Sequence, residues 1–136
     1  MAQSIQIDGT TATQLENCPG NCIIRGGLQQ GINLFHSFER FNVDVGTTVL
    51  FQDSGVNNIF GRVTGGEISQ ILGTLGISGG NANLFLLNPN GIIFGPNSSL
   101  DLNGSFLATT ANAIKFGEQG FFNTCLLYTS DAADDL

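Results

Sequence analysis

The alternation of apolar and polar positions divides this chain into very short strands. From Asn81 to Pro96 it reads NANLFLLNPNGIIFGP, two apolar runs (Leu84–Leu87 and Ile92–Phe94) joined by Asn88-Pro89-Asn90-Gly91. That tetrapeptide is a turn. Pro89 presets φ at the second position, Asn90 tolerates the third, and Asn88 can hydrogen-bond back to the backbone. Gly95-Pro96-Asn97-Ser98 punctuates the chain again three residues later, so a corner comes about every seven or eight residues. The rhythm repeats in Ser4–Ile7, Cys22–Ile24, Val43–Gln52, Asn57–Thr64, Ser69–Ile77, Ser99–Leu102 and Ser105–Phe116. Leu84, Leu86, Ile92, Phe94, Leu100, Leu102 and Phe106 are the expected core of the central and following stretches. Asn33–Phe41 (NLFHSFERF) is ambiguous. Leu34, Phe35, Phe38 and Phe41 fit a helical face, alternation is not clean, and only the β-rich surroundings tip the stretch to extended chain.

Residues 68–100 carry no charged side chain. A coiled solenoid accounts for this. Each strand there stacks in parallel on a near-copy of itself, so a charge would face its like above and below. Asn, Ser and Thr can instead pair their side chains along the stack. The even turn spacing agrees. The rival is an antiparallel sandwich, in which Asn103-Gly104 is a hairpin turn.

Composition narrows the function. Of 136 residues, 19 are Gly and 11 Phe, and 11% are charged, against roughly 25% in ordinary soluble domains. This suits a turn-rich all-β domain. Four basic residues against 11 acids, net −7, disfavour nucleic acid and anionic membrane surfaces as partners. No apolar run approaches the ~20 residues of a spanning helix, so no membrane insertion is expected. The N-terminus shows no signal-peptide pattern. Cys18 and Cys22 flank a Pro-Gly-Asn turn in a C-x3-C spacing unlike zinc or thioredoxin-type motifs. A local disulfide fits an exported protein, and two free thiols in an N-terminal loop are the alternative.

Candidate chemistry is sparse. His36 is the single histidine, and nothing in its spacing from Ser37, Ser54 or Asp53 supports a triad; a packed or hydrogen-bonded role is expected. Asp44 and Asp53 are the paired acids of an alternative reading, a β-helical polysaccharide-active enzyme. A carbohydrate- or surface-binding module is a third reading. Gly73, Gly76 and Gly79 do not form a dinucleotide fingerprint and are expected to mark corners. No phosphate-binding G-K-[ST] and no calcium-loop pattern occurs. Asn97-Ser98-Ser99 and Asn103-Gly104-Ser105 fit the glycosylation pattern, and both are expected to be unmodified turn residues.

The blocks GGLQQGINLFHSFERFNV (Gly26–Val43), RVTGG (Arg62–Gly66), ILGTLGI (Ile71–Ile77) and NANLFLLNPNGIIFGPNSSLDLNGSFLATTANAIKF (Asn81–Phe116) together resemble the two-partner secretion domain. This is the N-terminal domain of filamentous-haemagglutinin-like exoproteins, here in its cyanobacterial-type form. The likeness covers roughly residues 5–122, and NPNGI (Asn88, Pro89, Asn90, Gly91, Ile92) is the family's hallmark. The resemblance implies an all-β, right-handed parallel β-helix (solenoid) with an N-terminal cap, with no enzymatic activity, cofactor or metal. It implies export through the periplasm to the cell surface or medium. Recognition would be by an outer-membrane transporter of the TpsB type, with periplasmic domains and a β-barrel pore. The domain would be the secretion address of a longer adhesin, whose downstream repeats are missing here.

Three departures qualify it. No signal peptide is visible. The family's second Asn-Pro motif is replaced by FQDSGVNNI (Phe51–Ile59). Residues 1–122 are expected to be an incomplete domain, and 123–136 a foreign or disordered tail. An open last turn is expected to favour association. Replacing Asn88 or Pro89 is expected to loosen one corner, at a cost of about 1 kcal/mol.

Overall fold

The computed structural model describes residues 4–18, 20–110, 113–115, 121–123 and 127–128. Among them every regular element is a strand. The N-terminal segment forms β1 (Ile5–Ile7) and β2 (Thr13–Glu16). A first turn of coil follows: β3 (Asn21–Gly26), the short return β4 (Leu28–Gln30) and the long β5 (Asn33–Phe41). The second turn is β6 (Thr48–Gln52), β7 (Asn58–Val63) and β8 (Ser69–Ile71). The third is β9 (Thr74–Ser78), β10 (Asn83–Leu87) and β11 (Ile92–Phe94), and the fourth holds β12 (Ser99–Asp101) and β13 (Phe106–Thr109). Beyond them, β14 (Ala113–Lys115), β15 (Phe121–Asn123) and β16 (Leu127–Tyr128) form a small antiparallel sheet. The remainder of the 123–136 tail lies outside the described residues.

The turns stack in parallel into a three-sided β-solenoid. One side is β3-β6-β9-β12 and the second is β5-β7-β10-β13. The third pairs β8 with β11 and is joined from the first turn by a bridge between Val43 and Ile71. The repeat behind the stack is an Asn-Leu/Ile-Phe triplet at Asn33, Asn58 and Asn83, spaced 25 residues apart and in register across β5, β7 and β10.

Each position of the triplet has one job. Asn58 donates to the Asn33 side-chain oxygen at 2.9 Å, and Asn83 to that of Asn58 at 3.1 Å, giving a ladder of amides. Leu34, Ile59 and Leu84 stack inward, all buried. Phe35, Phe60 and Phe85 stack on the opposite face, with centroids 5.1 and 4.7 Å apart. Polar side chains thus pair along the axis, as Thr74 and Ser99 also do at 2.8 Å.

The first turn would present a bare strand edge. Antiparallel strands cover it: β1 and β4 lie along β5, and β2 along β3. This is the N-terminal cap, and it closes an edge that would otherwise invite pairing with other chains.

β5 is a strand, not a helix. Its poor alternation has two causes. A bulge falls between the partners of Gln6 and Ile7, so Glu39 is skipped and Phe41 returns to the core. The cap and the Phe stack also bury parts of the face that would otherwise meet solvent.

The expected core needs correction at its C-terminal end. Leu84 and Leu86 are fully buried. Ile92, Leu102 and Phe106 are half-buried against the core, while Phe94 and Leu100 are 43% and 48% exposed. The register itself is right: Phe94 pairs with buried Ile71 and Leu100 with buried Leu75. Both stand on the last strands of their sides, and no described strand stacks beyond them. Gly76 is a second correction. It lies inside β9 rather than at a corner, where a Cβ would collide with the Asp101 backbone.

Burial differences set the expected energetics. Leu86→Ala should cost roughly 2–5 kcal/mol, and Leu100→Ala about 1 kcal/mol or less, because less of its surface leaves water on folding. Urea denaturation of the two variants checks this, and equal losses would contradict the assignment of β12 to the open end of the stack.

Candidate functional site

The NPNGI corner joins the second side of the solenoid to the third. β10 delivers Asn88, and β11 begins at Ile92. The Gly91 amide donates to the Asn88 carbonyl at 3.0 Å and closes the turn. Gly91 adopts φ 128°, a region that disfavours side chains, and a Cβ there would press on Ile68 at 3.3 Å.

Asn88 is fully buried, and its amide makes four hydrogen bonds. Its Nδ2 donates to the Glu67 carbonyl at 3.0 Å and to Ser69 Oγ at 2.9 Å. Its Oδ1 accepts from the Asn90 backbone amide at 2.9 Å and from Asn90 Nδ2 at 3.0 Å. Asn90 Nδ2 also donates to the Gly65 carbonyl at 2.7 Å. On the other side, the Asn88 amide donates to the Thr109 carbonyl at 3.0 Å. One residue therefore ties three successive turns together.

Pro89 and Asn90, by contrast, are exposed at the tip, while Gly91 and Ile92 are half-buried. The motif divides into an internal rivet and an external face. Sequence reasoning did not find the partners of the rivet, Ser69 and the 65–67 loop. They belong to the RVTGG block and the residues just after it, 19 or more positions away.

The stretch without Asn-Pro turns by related means. Asp53 Oδ1 accepts the Gly55 amide at 2.7 Å, and its other oxygen accepts the Ala82 amide of the next turn at 3.2 Å. Cys18 and Cys22 are joined in a disulfide that closes the β2–β3 loop, with Cys22 buried. Asp44 is bonded to Ser4 Oγ of the cap. Asp44 and Asp53 lie at opposite ends of β6. Its five residues separate them by roughly 16 Å or more, beyond the ~5–9.5 Å of paired glycosidase carboxylates. His36 is packed among Phe38 and Phe51 inside the coil, with no hydrogen bond to Ser37, Ser54 or Asp53. Among the described residues, no three of His, Cys, Asp and Glu converge on a metal-sized site.

A second polar cluster, also unread in the sequence, binds the cap. Asp8 accepts from Ser37 Oγ at 2.5 Å, Thr64 Oγ1 at 2.7 Å and Thr10 Oγ1 at 2.7 Å. Buried Arg62 donates to Ser37 Oγ at 2.7 Å and to Thr10 Oγ1 at 3.1 Å.

The fold is a capped parallel β-solenoid whose buried amides and charges serve its corners and its cap. The model of the TPS (two-partner secretion) secretion domain matches residues 3–133, and the chain belongs to that family. Its fold is similar to the crystal structure of the filamentous hemagglutinin secretion domain, with a TM-score of 0.69 and 25% identity over 85% of this chain and 45% of that one. It is 34% identical over 87 residues to the heme/hemopexin-binding protein of Haemophilus influenzae, a match covering 63% of this chain and 9% of that protein. The chain thus spans under half of the solved secretion-domain chain and under a tenth of that relative.

With Asn88 buried and Pro89 exposed, the two replacements are expected to differ in cost rather than share a value of about 1 kcal/mol. Asn88→Ala should cost roughly 2–4 kcal/mol, since it strands buried donors and acceptors around Ser69 and Glu67. Pro89→Ala should cost roughly 0.4–1 kcal/mol through the unfolded chain. Thermal melts of the two variants test the division; similar losses would dissolve it.

Proposed function

We propose that this domain is the export address of a longer adhesin- or haemagglutinin-like exoprotein. It is read by an outer-membrane transporter with periplasmic domains and a β-barrel pore, on a route through the periplasm to the cell surface or medium. Membership of the secretion-domain family supports the export role. The single observation that supports the site is the split corner: Asn88 is withdrawn into the fold, while Pro89 and Asn90 are held outward on a tip fixed by the Asn90–Gly65 and Asn90–Asn88 bonds.

A rigid tip suits recognition, because little conformational entropy is left to lose on binding. The rivet supplies that rigidity from inside and need not touch the partner. The enzyme reading gains nothing from Asp44 and Asp53, which serve the cap and a corner respectively.

The test uses the full-length exoprotein co-expressed with its transporter, with secreted protein and melting temperature measured together. Pro89→Ala and Asn90→Ala should reduce secretion at least tenfold while shifting the melting temperature by only a few degrees. Normal secretion from stably folded variants would leave the corner a purely structural device.

A further inference from the structure

The N-terminal segment is anchored through two polar groups on opposite faces of β5. Inside the coil, His36 is fully buried. Its Nδ1 lies 3.0 Å from Thr13 Oγ1 of β2, which in turn bonds Thr11 Oγ1 at 2.8 Å. Among the described residues its Nε2 has no hydrogen-bond partner. The Gly27 backbone closes over the ring so tightly that a Cβ there would sit 2.8 Å from His36 Cε1. Against the ring lie Thr13 of β2, itself bonded to Thr11, the Gly27 backbone, Phe38 of its own strand and Phe51 of β6, with Gly61 of β7 as its register partner. None of these is charged or titrates in the acid range.

On the outer face, Asp8 holds the same segment. Facing its carboxylate are Ser37 of β5, Thr64 beyond β7, Thr10 of its own loop, and the Arg62 guanidinium, which shares Ser37 and Thr10 with it.

We propose that the N-terminal cap is an acid-released latch, freed from the first turn when His36 is protonated while the turns beneath stay closed. An imidazolium needs an acceptor at each nitrogen, and Nε2 has none. A second proton on the ring is therefore disfavoured while the Thr13 side chain and the Gly27 backbone are packed against it.

Burial lowers the His36 pKa from 6.5 to about 4. The opened segment therefore binds the proton that the closed one refuses, and closure is favoured fully above pH ~6.5 and weakens as pH falls toward 4. Asp8 acts later. Burial alone would raise its carboxyl, but the bonds from Ser37, Thr64 and Thr10 outweigh that and lower it below 3.8. Its contribution is present above pH ~4 and is lost as pH falls through the lowered value.

Hydrogen exchange on the whole chain, corrected for the intrinsic pH dependence of exchange, tests the latch. From pH 7 to pH 5, opening at the β2 and Gly27 amides should rise roughly twentyfold, while β10 amides stay protected. His36→Gln should abolish that rise. Asp8→Asn should leave it and remove the further loosening below pH 4. An equal acceleration of β10, or no acceleration of β2, would overturn the proposal. Should His36→Gln not fold, the lone histidine can be titrated by NMR in the wild type. A value near 4 in the folded chain sustains the latch, and a value near 6.5 refutes it.

Discussion

The rest of this structure depends on parallel stacking in register. Each strand lies on the corresponding strand one turn away, so every side chain meets a counterpart from the next turn along the axis. Under that constraint the choice of side chain at a position is a choice about a column. The Asn33–Asn58–Asn83 column works because an amide is both donor and acceptor and can bond the same residue above and below. The Phe35–Phe60–Phe85 column works because flat rings tolerate stacking at the spacing of paired strands. A carboxylate column would place like charges one strand spacing apart. This is the physical sense of the uncharged stretch from 68 to 100.

Much of this was legible, and the illegible parts share a cause. The corner rhythm could be read because corners need Gly, Pro, Asn or Asp whatever they pack against. The all-β coil and its Asn pairing followed from that rhythm and the missing charges. The 25-residue triplet was visible in principle, but only three residues per turn carry it, and β3, β6 and β9 share no such motif. Burial at Phe94 and Leu100 could not be read, since inward orientation comes from alternation whereas burial depends on what stacks next. The Asp8 cluster was beyond reach for a related reason: Asp8 and Thr64 are 56 residues apart, and nothing local marks either as the other's partner.

The ends of a stack are where its repeating rule no longer supplies partners, and the polar residues found there differ from those of the columns. The cap reverses strand direction, and β1, β2 and β4 are all antiparallel to what they cover. Reversal breaks the column logic, because an antiparallel strand brings different side chains opposite. Charges become usable there. The buried Arg62 and the Asp8 carboxylate both sit at this junction and both bond Ser37, and the Arg25–Glu16 pair lies on the covering β2–β3 ribbon at 2.9 Å. The histidine at the same place is held neutral, because the cap shields it from water without offering it a counter-charge and burial disfavours its charged form.

The same logic explains why a corner, not a strand, carries the motif most open to recognition. Strand columns are committed on both faces, to the core within and to stacked neighbours along the axis. A corner has one side chain that must turn inward to satisfy the backbone groups released by the bend, and others that cannot. At Asn88–Gly91 the inward residue bonds the loop of the turn below through Glu67 and Ser69, and its amide bonds the turn above through Thr109. The outward residues are thereby fixed relative to three turns at once. A partner that read Pro89 and Asn90 would also sense whether those turns are stacked, which would couple recognition at this corner to completion of the local fold.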